Sequence, residues 1–534
     1  MAGNLISQTV QQAQQYFIYM NEPGNYSAWQ SFWNLFFPVA ADKPLSTGNN
    51  TWGSYQIKSV PKQINSANYF AWQQVNVPLS TGASCADGSE YKFFVNLTNA
   101  SNNVLIFQEG GGGCFDYGDC SGHQPLKNPD GSWKLDAYGN VMETTAANVQ
   151  NRNGIADDYM NVLANFGAGG ELDGNSINLS NFTGPFMQRL ALMDPHRLKV
   201  QDWNIVYMPY CTGDTHIGDN IKHLIRVDGR QGRVQHFNGV KNVTTALGWM
   251  RDHLPRPAQV FLTGQSAGSL GVDFHRLTVR KLLNPSDSLY TLPDAGFFSA
   301  EDPVGTNLEA FPSTLFIREA KASWWNYGLN ITTPSSFANN LKTELPEFDP
   351  RNITNLSTLI SKRNPQDRVL YLNAQADLNF PKYGYKNNPG FIEAAIANGD
   401  INKVEIPAHF SPMGNYLRKN WVHELQMKAN TFADLSPHQG YFFPSGRMLA
   451  QSHMLTAFTY EGGINSDTGH TTINAIENLL DRRRPPVYRE LESSPTLGLT
   501  LPLGPTNWAL STLVSTVNPE LGAFMYGPPL NMKP

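Results

Sequence analysis

One serine in this chain sits where its hydroxyl could act as a nucleophile. The stretch VFLTGQSAGSLG (260–271) ends an apolar run, and its core is Gly264-Gln265-Ser266-Ala267-Gly268; a helical pattern, GVDFHRLTVRKLL, follows. Small residues on both sides of a serine let the chain turn sharply from strand to helix and hold Oγ clear of the sheet. A serine that merely caps the helix is the competing reading. A serine hydroxyl attacks a carbonyl only when a histidine takes its proton, and that histidine needs a carboxylate to orient it. In hydrolases built around such an elbow the chain order is serine, acid, histidine, so both partners are sought after Ser266. RVLYLNAQADLNFP ends an apolar run at Gln375 and puts Asp377 in the next loop, which makes Asp377 the expected acid. Asp294, in LPDAGFF, is the rival acid, but it reads as preceding an apolar segment instead of closing a strand, and it comes early after the elbow. His470, in the Gly-rich loop before TTINAIENLL, is the expected base; His409, His423, His438 and His453 compete with it.

Acyl transfer builds negative charge on the carbonyl oxygen, and backbone N–H groups aimed at it give one of the largest stabilising contributions. One such donor is expected from Ala267, directly after the nucleophile, and another from a Gly-rich loop after an earlier strand. NVLIFQEGGGGCFDYGDCSG (103–122) supplies four consecutive glycines after an apolar run. Glycine loses more backbone entropy on ordering than any other residue, so four in a row call for a function that needs bare amides. A phosphate-binding loop is the other use of such a run, but neither G-x-G-x-x-G nor a terminal GK[ST] is present.

These residues need a frame. YKFFVNL (from Tyr91), NVLIFQE (Asn103), WNIVYMPY (Trp203), AQVFLTGQ (Ala258) and RVLYLNAQ (Arg368) read as strands, and GVKNVTTALGWMRDHL (from Gly239) as a helix just before one of them. Near-continuous apolar strands alternating with helices specify an α/β protein with a mostly parallel central sheet and helices on both faces. No fixed-period repeat is visible. The chain has 534 residues, 40% of them hydrophobic and 11% aromatic, ample for a large core. Residues 1–80 read as an N-terminal extension packed on the body, its aromatic-rich YFIYMNEPGNYSAWQSFWNLFF included, and 81–534 as one catalytic domain. Long Asn-, Gly- and Pro-rich insertions around 123–182 and 383–469 are candidates for lids or substrate-binding elements.

A net charge of −5 without a long basic run argues against nucleic acid as a partner. No apolar stretch is long enough to span a membrane, and MAGNLISQTVQQ lacks the charged start and apolar core of a leader, consistent with one already trimmed. The four cysteines, Cys85, Cys114, Cys120 and Cys211, favour two disulfides and hence a secreted or periplasmic location; a four-thiolate metal site would call for closely spaced CxxC pairs. Asn-x-Ser/Thr sequons, such as those at Asn96 and Asn242, arise easily in so Asn-rich a chain.

CADGSEYKFFV, QEGGGGCFDYGDCSG, WNIVYMPYCTGDTHIGD, GQSAGSLG and DAGFF, in this order between Cys85 and Phe298, resemble successive blocks of the pectin acetylesterase family. The resemblance implies an α/β-hydrolase fold, a Ser-Asp-His triad, and hydrolysis of carboxylic esters with no cofactor and no metal. It implies Ser266 as nucleophile and Gly111, Gly112 and Ala267 as oxyanion positions. It further implies the pairings Cys85–Cys211 and Cys114–Cys120. Where the family usually carries an aromatic residue in the glycine loop, this chain has Gly112 and Gly113, which is expected to open that side of the pocket. The substrate implied is an acetylated polysaccharide or another acyl ester. The alternative is a non-catalytic or metal-dependent polymer-binding protein on the same scaffold, for which Asp214, His216 and Asp219 in CTGDTHIGDNIKH are the candidate ligands.

Overall fold

The computed structural model describes residues 69–493 apart from 71, 146–148, 157–158, 161–183, 188–197, 230–231, 303, 327–335, 351, 400–410, 446–452, 458–459, 461 and 484–485. The aromatic-rich N-terminal stretch and most of the first expected insertion beyond residue 160 lie outside them.

The strands run β1 (Trp72–Val77), β2 (Tyr91–Asn96), β3 (Val104–Gln108), β4 (His123–Pro125), β5 (Glu143–Thr145), β6 (Asn204–Met208), β7 (Asn220–Leu224), β8 (Arg233–Phe237), β9 (Gln259–Gln265), β10 (Ser288–Asp294), β11 (Arg368–Leu372), β12 (Gln439–Phe443) and β13 (Arg489–Leu491). Nine of them form one sheet in the order β1-β2-β6-β3-β9-β10-β11-β12-β13, while β4–β5 and β7–β8 are separate hairpins. β1 and β2 pair antiparallel, as do β2 and β6, and every other neighbour in the large sheet is parallel. This is the α/β-hydrolase arrangement, with β9, the strand that leads into Ser266, at the centre. β1 lies inside the stretch expected as an extension, yet it is the edge strand of the sheet.

The helices that bear on the site are α1 (Tyr117–Ser121), α2 (Gly239–His253), α3 (Ala267–Leu283), α4 (Thr314–Trp324), α5 (Asn379–Tyr385), α6 (Pro412–Asn430) and α7 (Thr472–Leu480). They cover both faces, and β11 shows why its apolar run is unbroken. Leu370 and Leu372 join the core that includes Leu247 of α2 and Ile476 of α7. Val369 and Tyr371, pointing the other way, pack with Trp421 and Leu425 of α6. Side chains alternate across a strand, so a strand covered twice must be apolar at every position. Full burial of each aliphatic side chain contributes about 1.5–3 kcal/mol.

Two disulfides pin the region before the nucleophile, Cys85–Cys211 and Cys114–Cys120. No described helix is long and apolar enough to cross a membrane. One feature contradicts the absence of repeats. After β4 the chain makes two successive loops of the same form, 128–132 and 136–140. In the first, Gly131 N donates to Asn128 O and Asn128 N to Ser132 O; in the second, Gly139 N donates to Asp136 O and Asp136 N to Asn140 O. Leu126, Lys134 and Met142, spaced by one period of the repeat, close a ring of three backbone hydrogen bonds. The positions alike in the two units are chiefly turn residues, Asn128/Asp136, Gly131/Gly139 and Ser132/Asn140, with a single apolar pair, Trp133/Val141, so the repeat leaves only a faint hydrophobic signature.

Candidate active site

Ser266 stands between β9 and α3 with φ 54° and ψ −120°, a conformation that costs a non-glycine residue of order 1–3 kcal/mol and persists only when its surroundings enforce it. The enforcement is visible. A Cβ on Gly264 would lie 2.6 Å from the Gln108 carbonyl oxygen, and one on Gly268 would strike the same oxygen. The two glycines of the motif therefore let the elbow close on the end of β3. Ser266 N donates to Asp294 O, and the Ser266 side chain makes no cap hydrogen bond to α3, which removes the helix-cap reading.

The glycine loop lies against this elbow. A Cβ at Gly110 would sit 2.6 Å from Gln265 O and 3.0 Å from Ser266 Cβ. Gly111 and Gly112 have φ of 140° and 77°, open to glycine and strained for other residues. Gly113 is different: its Cβ would meet the Trp324 ring of α4 at an ordinary 3.6 Å. Trp324 stacks on Phe115 and donates its Nε1–H to Cys114 O at 2.9 Å. The side expected to be open at Gly113 is thus occupied by an aromatic ring from another element.

Asp377 follows β11 in the loop leading into α5. Its Oδ1 accepts from Asn379 N and Phe380 N, and its Oδ2 lies 2.9 Å from Nδ1 of His453. Both side chains are 1% exposed. His470 is elsewhere: its Nδ1 is 2.6 Å from Glu490 Oε1, its ring stacks on Tyr488, and its side chain is 40% exposed. The acid expected from the sequence thus faces His453, one of the rival histidines, and not His470. Of the other rivals, His423 meets Ala310 O and His438 meets Pro365 O, while His409 lies outside the described residues. His453 carries a signal that a sequence can offer, since it is the first histidine after QGYFF, the strand β12 that follows the acid.

Asp294 has a task of its own. It is the last residue of β10, so it does close a strand, contrary to expectation. Its carboxylate accepts from Leu455 N, Thr456 N and Thr456 Oγ1. Gln265 Nε2 donates to Thr456 O and Oγ1, both at 3.0 Å. The segment just after His453 is thereby fastened to the residue before Ser266 and to the strand beside it. Burial pushes the Asp294 carboxyl up to about 6 against the opposing hydrogen bonds from residues 455 and 456.

The candidate metal ligands serve loops. Asp214 is buried and accepts from Thr212 Oγ1, His216 N and Gly239 N at the start of α2; burial raises its pKa to about 6. His216 Nε2 meets Glu109 O at 2.8 Å, and burial lowers its pKa to about 3. Asp219 accepts from Phe337 N. Among the described residues no three His, Cys, Asp or Glu side chains gather as a metal would require.

Comparison with known proteins finds partial likenesses. Residues 184–348, which include the elbow, match the family model described as Pectinacetylesterase. A palmitoleoyl-protein carboxylesterase NOTUM of Schmidtea mediterranea is 24% identical over 243 residues, 44% of this chain and 36% of that protein, so the match spans about a third of the relative's length. The structure of the Wnt deacylase Notum from Drosophila aligns with 79% of this chain and 96% of its own at 15% identity and a TM-score of 0.44.

Proposed function

We propose that the protein is a serine carboxylic-ester hydrolase with Ser266 as nucleophile, His453 as general base and Asp377 as its orienting carboxylate. The observation that carries this reading is the buried His453–Asp377 pair, fastened through residues 455–456 to the strand ends that present a strained Ser266.

The chemistry follows from the atoms. The Asp377 carboxylate can only accept, so His453 carries its proton on Nδ1 and leaves Nε2 free of a proton, ready to take the one on Oγ. Oγ attacks the ester carbonyl carbon as His453 removes that proton, and the oxyanion is met by the amides of Ala267, at the N-terminus of α3, and of Gly111 and Gly112. His453 then protonates the departing alcohol. Water, deprotonated by the same imidazole, releases the acid and restores Ser266.

The substrate is an acyl ester, with acetylated polysaccharide the first class to test. The two disulfides favour an oxidising compartment, so a secreted or periplasmic location is part of the proposal. Labelling with a serine-directed fluorophosphonate, mapped to Ser266 and absent in Ser266→Ala, tests the nucleophile. A panel of p-nitrophenyl esters of rising acyl length beside acetylated polysaccharides tests the class. An unlabelled Ser266 in folded protein, with no ester turned over, overturns the reading.

A further inference from the structure

Glu109 is the residue before the four glycines, and it is completely buried. A buried carboxylate is costly unless donors surround it. Here Tyr159 Oη donates to it, 2.9 Å from Oε1 and 2.8 Å from Oε2, Gln150 Nε2 lies 2.8 Å from Oε1, and Tyr210 N lies 2.9 Å from Oε2. The Glu109 main chain is held as firmly, its N–H donating to Met208 O and its carbonyl meeting His216 Nε2. None of this touches Ser266, His453 or Asp377, and the mechanism above does not use it.

Its effect reaches the oxyanion loop through Gln150. The side chain of Gln150 is fixed by Glu109 and by Tyr159 Oη, and its backbone N–H donates to Gly111 O at 3.1 Å. A peptide unit is planar and trans, so its C=O and N–H point in opposite directions. With the Gly111 carbonyl drawn to Gln150, the N–H of Gly112 faces the opposite way. Glycine has no side chain to lock this peptide, and φ near 77° and 140° are only two of its many options. Something outside the loop must choose.

We infer that Glu109, acting through Gln150, is a positioning residue that sets the direction of the Gly112 amide and so assembles the oxyanion site. This deepens the esterase reading and rests on it. An oxyanion donor misdirected by about 1 Å loses much of its value, and removing one donor costs about 10²- to 10³-fold in measured cases.

The experiment compares Glu109→Gln, Gln150→Leu and Tyr159→Phe with wild type, reading kcat, KM, melting temperature and the affinity of a trifluoromethyl ketone analogue of the ester, whose adduct with the serine carries the oxyanion. Glu109→Gln is expected to lower kcat roughly 10- to 100-fold with KM changed less than about threefold, and to weaken the ketone by the same factor as kcat/KM falls. Gln150→Leu and Tyr159→Phe are expected to show the same parallel loss at smaller size, and they carry the test if Glu109→Gln does not fold. Wild-type kcat and ketone affinity in the folded variants would overturn the inference. So would a kcat loss that leaves ketone affinity untouched. Failure of the esterase reading is distinguishable, because then wild type itself neither labels at Ser266 nor turns over ester.

Discussion

His453 and Asp377 face each other at 2.9 Å, Nδ1 to Oδ2, from segments 76 residues apart in the chain, and both are shut away from water. A carboxylate in that position fixes the imidazole tautomer and stabilises the imidazolium formed during catalysis. His470, facing Glu490 at the surface, has the same donor–acceptor chemistry without the enclosure. The two histidines should therefore separate cleanly. His453→Ala is expected to lower kcat by at least about 10³-fold, and the double variant with Ser266→Ala to be hardly worse than either alone, because triad members act as one unit. His470→Ala should stay within about twofold of wild type, since its ring meets Glu490 and Tyr488 and not Asp377. Ester hydrolysis by the purified variants decides between them, and a severe loss in His470→Ala with intact His453 would reverse the assignment.

The two acids should also part company. Asp377→Asn keeps an oxygen for Asn379 N and Phe380 N but can no longer serve as a negatively charged acceptor for Nδ1–H, so it should cost about 10²- to 10⁴-fold in kcat with little change in melting temperature. Asp294→Ala removes the acceptor of two backbone amides and a hydroxyl in a buried site, each left unsatisfied at about 1–3 kcal/mol. It is expected to lower the melting temperature markedly and to weaken activity through a displaced His453. Circular dichroism melts beside kinetics read both, and an Asp294→Ala protein as stable as wild type would sink this division.

The sequence carried much of this frame for reasons visible residue by residue. YKFFVNL, NVLIFQE, WNIVYMPY, AQVFLTGQ and RVLYLNAQ correspond to β2, β3, β6, β9 and β11, strands rich in apolar, aromatic and β-branched residues. The strands that escaped notice are those whose local chemistry argues against a strand. β10, SLYTLPD, carries Pro293 one residue before its end, and that proline concealed that Asp294 closes a central strand. β12, QGYFF, contains Gly440, where a Cβ would strike Tyr488 O: the close approach of β13 demands the residue that weakens the pattern. With β12 unread, the first histidine beyond it had no claim over a later one. The histidine that faces Asp377 was passed over because the strand before it was. No local pattern could reveal that Asp377 and His453 meet, since only tertiary packing brings them together.

Glu424, on α6, is buried and accepts from Ser313 N, Ser313 Oγ and Tyr385 Oη; burial nonetheless raises its pKa to about 7. The folded protein therefore holds this proton to higher pH than the unfolded chain, whose carboxyl titrates near 4.5. Its stabilising contribution is complete below about pH 4.5 and is lost as pH rises through 7. His216 and His275, kept neutral by burial, act in the opposite sense on the acid side, so a difference measurement is needed to isolate Glu424. The melting temperature of wild type minus that of Glu424→Gln should fall between about pH 5 and pH 7 and level off above that. A difference that is flat or rises over that range contradicts the protonated glutamic acid.

The four glycines are not equivalent, and single alanine substitutions should rank them. At Gly110 the new Cβ would press on Gln265 O at 2.6 Å and Ser266 Cβ at 3.0 Å, backbone and nucleophile together, with no flexible neighbour to yield. At Gly111 it would meet Gln150 Cβ at 2.6 Å and Tyr210 Cδ1 at 2.9 Å while φ stands at 140°. Gly112 combines a φ of 77° with the proposed oxyanion donor, so alanine there strains the one peptide that must keep its direction, at about 1–2 kcal/mol for the left-handed backbone alone. Gly113 has an ordinary φ and finds only the Trp324 ring at 3.6 Å, a normal contact. Gly113→Ala is accordingly expected to keep at least about half of wild-type kcat on a short acyl ester, while Gly110→Ala, Gly111→Ala and Gly112→Ala each lose more than about tenfold, an amount set by the donors they displace. Equal activity across all four variants would mean that the run serves chain flexibility and not oxyanion chemistry.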